Sequence, residues 1–169
     1  MPYRSAHHCR AAAIFVCLAP AVLLAPSTAQ ATTDTSTMAV TATVVATCAL
    51  AASPLAFGNY TMSQTDSTTS VTATCTSGTT YTVALSAGTG SGASVANRKL
   101  TGPASATLNY SLYQDAGRTT LWGQTVGTDT VAGTGSGTAQ TLTVYGRIPA
   151  AQGSAAGVYT DTITVTLTY

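Results

Sequence analysis

Glutamate is absent from this chain of 169 residues, and only 7% of the residues are charged. An ordinary soluble domain carries roughly 25% charged residues, so charge contributes unusually little here. The formal net charge of +1 is too small to hold a phosphate backbone through counterion release, and we expect no nucleic-acid partner. Disordered chains combine low hydrophobicity with high net charge, and this chain lacks that combination, so we expect it to fold. The length favours one domain.

The first 31 residues have the features of a secretory signal peptide. Arg4 and Arg10 supply a positive beginning, the uncharged stretch 11–25 follows, and residues 29–31 form a small-x-small cleavage sequence. The apolar run is too short to span a bilayer, and no second long run follows. We therefore expect an exported protein without stable membrane insertion, whose mature chain begins at Thr32.

Residues 32–169 contain neither histidine nor glutamate, because His7 and His8 both lie in the predicted signal peptide. This excludes a histidine-based catalytic triad, a histidine-ligated metal site and a paired-glutamate glycosidase site. We expect a protein that is not an enzyme and binds no cofactor or metal. The two remaining cysteines, Cys48 and Cys75, predict one disulfide in an exported chain. A pair of free reactive thiols is the alternative.

Period-two alternation of apolar and polar residues runs through the mature chain and predicts β-strands. Threonine, which is frequent here, is β-branched and favours strands. No stretch shows a helical period, and about seven short strands predict an all-β sandwich. The glycine-rich stretch 126–139 is predicted to be a long surface loop. The alternating faces are Met38, Val40, Ala42 and Val44; Val71, Ala73 and Cys75; Tyr81, Val83 and Leu85; Leu108, Tyr110 and Leu112; Leu142, Val144 and Ile148; and Ile163, Val165, Leu167 and Tyr169.

The last alternating segment, 162–169, is predicted to form an open sheet edge. It has no charge or proline, which are devices that proteins use to block pairing at an exposed edge. Such an edge accepts an added strand from another chain. A second alternating segment, 38–44, lies ahead of the first cysteine of the mature chain and follows a polar leader at 32–37.

An ordered set of short motifs spans nearly the whole mature chain. It resembles the spore coat protein U domain family, which includes the pilin subunits of archaic chaperone–usher pili. The motifs are V-V-A-T-C-A-L at 44–50, F-G-N-Y at 57–60, V-T-A-T-C at 71–75, Y-T-V-A-L-S at 81–86, R-K-L at 98–100, L-N-Y-S-L-Y-Q-D at 108–115, L-W-G at 121–123, Y-G-R-I at 145–148 and G-V-Y-T-D-T-I-T-V-T-L-T-Y at 157–169.

The resemblance implies an incomplete immunoglobulin-like sandwich that lacks its final strand and is completed by donor-strand complementation. It divides the chain into a signal peptide at 1–31, an N-terminal donor-strand extension at 32–43 and a pilin domain at 44–169. Whether Val44 belongs to the donor strand or to the first strand is left open. The implied donor side chains are Met38, Val40 and Ala42, and the implied acceptor edge and chaperone contact are Ile163, Val165, Leu167 and Tyr169.

The function implied by the resemblance is that of a structural subunit of a surface pilus with a role in adhesion and biofilm formation. The partners would be a periplasmic chaperone, an outer-membrane usher and neighbouring subunits. The mature length holds one domain, which favours a rod or adaptor subunit over a two-domain tip adhesin. A structural coat protein of a spore or cyst is the alternative. A carbohydrate-binding module fits less well, because it needs a complete sandwich and an exposed aromatic platform.

Three single positions have competing interpretations. Asp161 shares a face with Ile163 and Val165, and it either recognises a partner or, as we expect, hydrogen-bonds a loop at the strand mouth. Trp122 is predicted to be a core residue and not a sugar-stacking platform. The adjacent Arg98 and Lys99 are predicted to be a solvated pair.

The cysteine pattern leads to a test on the exported protein. If Cys48 and Cys75 are joined, intact mass spectrometry should show two hydrogens fewer than in the reduced chain. Cys48→Ser should lower the periplasmic yield, because the unfolded chain loses a restraint that contributes about 3.5 kcal/mol. Two free thiols in the oxidised protein would contradict the pairing.

Overall fold

The computed structural model describes residues 28–169, so the predicted signal peptide lies almost entirely outside the described residues. The chain divides into two units, Met1–Thr41 and Ala42–Tyr169. The described part of the first unit, residues 28–41, contains no helix and no strand. No helix within residues 28–169 is long and apolar enough to cross a membrane.

The second unit is all-β, as the alternation predicted. Across residues 28–169 there is no α-helix, and the one helical turn is a short 3-10 helix at Pro103–Ser105. The eight strands are β1 (Cys48–Ala52), β2 (Thr65–Cys75), β3 (Thr80–Leu85), β4 (Arg98–Thr101), β5 (Thr107–Tyr113), β6 (Val131–Thr134), β7 (Ala139–Ile148) and β8 (Val165–Thr168).

The strands form two sheets, and all their ladders are antiparallel. The first sheet has the order β1-β2-β7-β5-β4, and the second has the order β6-β3-β8. The longest ladder joins β2 to β7, from Thr65 opposite Ile148 to Thr74 opposite Ala139. Successive side chains of a strand point to opposite faces, so each sheet turns one set of residues towards the other sheet.

The core between the sheets is made by the alternating residues that the sequence indicated. Trp122 also belongs to it, as predicted, with a relative exposure of 1%. Its indole N–H donates to the carbonyl of Val83 at 2.9 Å, so the ring has no free face for a sugar. The buried strand residues are Val71, Ala73 and Cys75 of β2, Tyr81, Val83 and Leu85 of β3, Leu108, Tyr110 and Leu112 of β5, and Val144 and Ile148 of β7.

A disulfide between Cys48 and Cys75, the pairing that the sequence predicted, ties β1 to β2. The two cysteines lie directly opposite each other in the ladder. Next to them, Thr47 donates its backbone N–H to the Thr76 hydroxyl at 3.1 Å. The beginning of β1 is therefore held to the end of β2 by a covalent bond as well as by hydrogen bonds.

Arg98 is fully buried, so the prediction of a solvated pair with Lys99 is wrong for this residue. Its guanidinium donates four hydrogen bonds to backbone carbonyls, at 2.7–3.1 Å, and thereby links the end of β3 to the loop before β4 and to the segment around Trp122. Burial lowers the pKa of Arg98, but a guanidinium stays protonated in proteins. The four carbonyls belong to Leu85, Ser86, Val95 and Trp122.

Strand β6 lies inside the stretch 126–139 that the sequence predicted to be a loop. It has only four residues, and its period-two pattern is too short to recognise. A Cβ atom at Gly133 would lie 2.5 Å from the ring of Tyr81, so β6 pairs closely with β3 only because a side chain is missing there.

The last strand is shorter than its alternation suggested. Residues 161–164 are not part of a strand, and β8 begins at Val165. Just before this segment, Thr160 forms an antiparallel bridge with Thr101 of β4. The chain thus passes from the edge of the first sheet to the edge of the second between Thr160 and Val165. Residues 161–164 therefore form no regular ladder with either sheet.

Candidate functional site

Strand β1 leaves side chains exposed on the face that should be covered by the core. Leu50 lies opposite Ala73 in the ladder, and Ala52 lies opposite Val71. Opposite residues of an antiparallel pair share a face of the sheet, and both partners on β2 are buried. Leu50 is nevertheless 36% exposed, and Ala52 is exposed too. The inward face of β1 therefore lacks a covering layer.

Strand β8 shows the same feature at the edge of the second sheet. Val165 lies opposite Leu85, and Leu167 lies opposite Val83, two residues that are at most 1% exposed. Val165 and Leu167 are only half-buried, although they point to the same side. Among the described strands, β8 has a ladder partner in β3 alone.

These two edges face each other and flank an open cavity of about 340 Å³. Strands β1 and β8 approach each other, and the cavity lies between the segment 52–57 on one side and the segment 161–165 on the other. Its floor is core, including Val71, Leu85, Leu112 and Val144. We call this space, together with the exposed inward faces of β1 and β8, the acceptor groove.

Side-chain hydroxyls of β2 hold one wall of the acceptor groove in place. Pro54 ends the regular ladder after β1 because proline has no N–H to donate. The Thr69 hydroxyl donates a shared hydrogen bond to the carbonyls of Ser53, at 3.0 Å, and Pro54, at 2.9 Å. The Ser67 hydroxyl donates to the carbonyl of Ala56 at 2.6 Å. The wall thus stays attached to the first sheet without a backbone ladder.

Gly146 of β7 makes the room that this wall needs. A Cβ atom at this position would lie 2.8 Å from the side chains of both Leu55 and Phe57. The missing side chain lets these two residues pack onto the sheet, where Phe57 meets the ring of Tyr110 edge-on at a centroid distance of 5.9 Å. Leu55 and Phe57 are half-buried and form the end of the acceptor groove near Asp161.

Asp161 is the only charged residue that lines the cavity among the described residues. Its Oδ2 accepts a hydrogen bond from the Tyr110 hydroxyl at 2.7 Å. Its Oδ1 accepts from the backbone N–H and the hydroxyl of Thr89, at 2.8 and 2.9 Å, and from the N–H of Thr162 at 2.7 Å. Asp161 therefore ties the wall of the groove to the loop after β3, in line with the loop-bonding interpretation of this residue.

The ionisation of this pair follows from its surroundings. Burial opposes charge on Asp161, but the hydrogen bonds from Tyr110, Thr89 and Thr162 outweigh burial and hold the pKa of the carboxyl below its usual range. Burial and the neighbouring carboxylate raise the pKa of Tyr110 well above its usual value. At neutral pH the pair is thus a neutral phenol that donates to a carboxylate.

The residues predicted to form the acceptor edge do not all lie in one place. Ile163 and Val165 line the cavity, and Leu167 packs against the core beyond it. Tyr169 is 61% exposed and is not among the residues that line the cavity.

The predicted donor residues lie in a segment without strand structure. Met38 is 84% exposed and Val40 is 82% exposed, and Ala42 is exposed as well. Val44 lies outside β1, which begins at Cys48.

Four groove residues escaped the sequence prediction: Leu50, Ala52, Leu55 and Phe57. Leu50 and Ala52 could have been found, because they lie two and four residues after Cys48 and must face the same side of a strand as Cys48 does. Leu55 and Phe57 follow a proline and lie outside any strand, so no periodicity marks them.

Comparison with known proteins gives two matches at the level of sequence. A family model described as Spore Coat Protein U domain matches residues 34–166. Protein U of Myxococcus xanthus is 33% identical over 174 residues, an alignment that covers 93% of this chain and 97% of that protein.

A solved structure is similar in fold. It is a chain of the CsuC-CsuE chaperone-tip adhesion subunit pre-assembly complex from archaic chaperone-usher Csu pili of Acinetobacter baumannii. The superposition has a TM-score of 0.58 at 21% sequence identity and covers 75% of this chain. It covers 41% of that chain, so this protein spans about two fifths of its length.

The Asp161 contacts predict a pH-dependent contribution to stability. Asp161→Asn should lower the free energy of unfolding at pH 7 by about 1–2 kcal/mol, because an amide nitrogen cannot accept the bonds that a carboxylate oxygen accepts. A lowered pKa stabilises the fold above the unfolded value near 3.8, and this contribution is lost as the pH falls through the folded value. The two chains should therefore converge below about pH 4.

Denaturant unfolding followed by circular dichroism from pH 3 to pH 7 measures this difference in a chain whose groove is filled by residues 37–44, grafted behind Tyr169 through a flexible linker. Asp34→Asn, at an exposed position of the N-terminal segment, serves as the control and should match the unsubstituted chain. A constant gap between Asp161→Asn and the unsubstituted chain over the whole range would contradict the prediction.

Proposed function

Because this chain belongs to the Spore Coat Protein U domain family, we propose that it is a structural subunit, rod or adaptor, of a surface pilus. A periplasmic chaperone and an outer-membrane usher assemble the pilus by donor-strand exchange. In this process the N-terminal extension of one subunit fills the acceptor groove of another.

One observation carries this proposal: the inward faces of two opposed edge strands are partly exposed beside an apolar cavity. Leu50 on β1 and Val165 and Leu167 on β8 belong to the core by their register, yet they are partly open to solvent. Soluble proteins normally blunt open edges with charges or prolines, and β8 has neither. An inserted strand would satisfy the free backbone groups of β8 and cover these side chains at the same time.

The segment around Met38, Val40 and Ala42 is the donor that this proposal assigns. Its apolar side chains alternate with Ala39 and Thr41, so one face of an extended segment is apolar and fits alternate pockets of a groove. Two of them, Met38 and Val40, are large and exposed. Their transfer from water into a groove stabilises the assembled state by about 1.5–3 kcal/mol for each fully buried side chain.

The chaperone is the first partner of the groove in this proposal. The similar fold comes from a complex of a chaperone with a tip adhesion subunit, which supports a chaperone partner for this chain too. We assign the chaperone contact to Ile163, Val165, Leu167 and Tyr169, the last of which remains exposed at the end of the chain's final strand. A temporary strand from the chaperone keeps the groove covered during export until the exchange takes place.

Export to the cell surface and a role in adhesion and biofilm formation complete the proposal. The predicted signal peptide directs the chain out of the cytoplasm. The structurally similar chain comes from a complex that contains a tip adhesion subunit, which supports a role of such polymers in adhesion.

A structural coat protein of a spore or cyst is the second candidate, and the description of the matching family favours it directly. The same strand addition would then build a surface layer. Genes for a chaperone and an usher beside the gene of this protein would favour the pilus, and their absence would favour the coat. A carbohydrate-binding module has lost its support, since Trp122 is buried in the core.

The open groove predicts that the mature chain is unstable alone and is rescued by its own extension. Residues 37–44, grafted behind Tyr169 through a flexible linker, should turn back along β8 and fill the groove. The grafted chain should be a monomer with a melting temperature raised by more than about 10 °C, since each kcal/mol shifts that temperature by roughly 2–8 °C.

Size-exclusion chromatography and thermal unfolding test this expectation. The matched control carries the same graft with Val40→Asp, which places an unpaired charge in the groove and should remove the gain. If the ungrafted mature chain is already a stable monomer and the graft leaves its melting temperature unchanged, no strand is missing.

Alternation in the extension predicts opposite results for two neighbouring substitutions. Val40→Asp should abolish surface polymers, because an unpaired charge must lose its water on insertion, at a cost of several kcal/mol. Thr41→Asp points away from the groove and should assemble almost normally.

The polymers are sheared from cells and compared as ladders by gel electrophoresis without heating. Periplasmic levels of the chaperone-bound subunit serve as the control for folding and should be similar for both variants. Equal ladders would show that the extension is not the polymerising strand.

A further inference from the structure

A second cavity, of about 870 Å³, opens at one end of the sandwich. Loop residues 55–61 and 154–159 form its walls, and Leu108 and Ile148 contribute to its floor. It shares Leu55, Phe57 and Leu100 with the acceptor groove, so the two spaces are adjacent. We call it the junction cavity.

The junction cavity is suited to apolar side chains. None of the residues that line it carries a charge, and the hydroxyls of both tyrosines in its lining are already engaged. The Tyr60 hydroxyl donates to Pro149, and the Tyr159 hydroxyl donates to Ala155. Val158, at its rim, is 81% exposed, and Met62, next to the lining residue Thr61, is 61% exposed. Large exposed apolar groups around an uncharged hollow are typical of a contact surface.

The chain itself contains a pair of neighbouring apolar side chains that are largely exposed. Val44 is 82% exposed and Val45 is 66% exposed. They lie between the proposed donor residues and Cys48, in a run without any charged residue from Thr35 to Thr65. Neither the groove nor the core of their own subunit covers them.

The direction of the inserted strand brings this pair to the junction cavity. Every ladder within the described residues is antiparallel, so a strand added beside β8 is expected to run antiparallel to it. It then passes Leu167 first and Asp161 last. At about 3.4 Å per residue, an extended segment from Met38 to Val44 spans as many residues as Leu167 to Asp161, so with Met38 beside Leu167 it reaches the Asp161 end. Val44 and Val45 therefore leave the groove at its Asp161 end, where the junction cavity begins.

The rest of the donating subunit fits this direction. Its β1 begins at the end of the sandwich that holds the β2–β3 turn, since Thr47 bonds to Thr76 and Thr82 lies opposite Thr168. The junction cavity lies at the opposite end, where Tyr159 lines it. With the donor strand in this direction, successive copies would be arranged head to tail, which is the arrangement that yields an open fibre and not a closed dimer.

We propose that the junction cavity is the docking surface between successive copies of this chain and that it receives Val44 and Val45 of the next copy. This inference rests on the proposed function, because the donor strand must first enter the acceptor groove. The groove then supplies the attachment of one subunit to the next, and the junction cavity sets the orientation of the two bodies.

Disulfide trapping between two different copies tests the proposal. A strain that makes both the Val45→Cys chain and the Val158→Cys chain should give a reducible dimer that contains one chain of each kind. Both positions are exposed, so the substitutions should not disturb folding. The matched control combines Val45→Cys with Thr143→Cys, an exposed position on the outer face of β7, and should give a several-fold weaker dimer band. Mass spectrometry of the cross-linked peptide identifies the bond.

A second pair of variants measures the strength of the contact without a cross-link. Val158→Asp should still form ladders, but these should dissociate at a lower temperature than those of Thr143→Asp. A normal ladder with no dimer above the control would overturn the junction and leave the pilus proposal intact. Equal heat resistance of the two aspartate variants would overturn it as well. The absence of any ladder from the unsubstituted chain would remove both proposals.

Discussion

The apolar faces of two edge strands meet over a space that no strand of the same domain covers, and this incomplete core is the constraint on which the structure depends. In a closed sandwich, the side chains of β1 and β8 would be as buried as their partners Ala73 and Val83. Here the register turns Leu50 and Leu167 inward, but solvent still reaches them. The free energy of burial that the fold leaves unused becomes available to a strand from another molecule.

The remainder of the domain keeps this groove open and in shape. The disulfide attaches β1 to β2 at one end, and the hydroxyls of Ser67 and Thr69 hold the irregular wall that follows it. On the other side, Asp161 ties the wall before β8 to the loop after β3. The two walls of the groove are therefore attached to separate sheets, which keeps them apart and keeps the cavity open.

Few charges lie within residues 28–169, and more than half of these serve the interior or each other. Arg98 donates to four carbonyls, two of which lie at the end of β3 next to the loop that Asp161 holds. On the outer face, Arg147 binds Asp66 with two hydrogen bonds of 2.8 Å, and Arg118 lies 3.4 Å from the same carboxylate. Little charge is left to repel a second copy, which suits a chain whose proposed role is to polymerise.

The amino-acid sequence by itself determined the all-β class and most of the core, because both depend on local alternation. It also determined the disulfide, because an exported chain with two cysteines is expected to oxidise them. Residues such as Val71 and Tyr81 face inward because successive side chains of an extended chain point to opposite sides, which turns their neighbours outward. The open edge of the last strand was also foreseen from its lack of charge and proline. The donor residues Met38, Val40 and Ala42 remain a prediction.

Only the tertiary structure decided which edges face each other, where the groove ends and which polar groups become interior. Arg98 looks like a surface residue in the sequence because it is charged and adjoins Lys99. Its burial could not be foreseen, because the four carbonyls to which it donates come from three separate parts of the chain. Strand β6 exists because Gly133 lets Tyr81 approach, and Leu55 and Phe57 form a wall because Gly146 leaves them room. Each of these outcomes requires contacts between residues far apart in the chain, and no local pattern encodes such a contact.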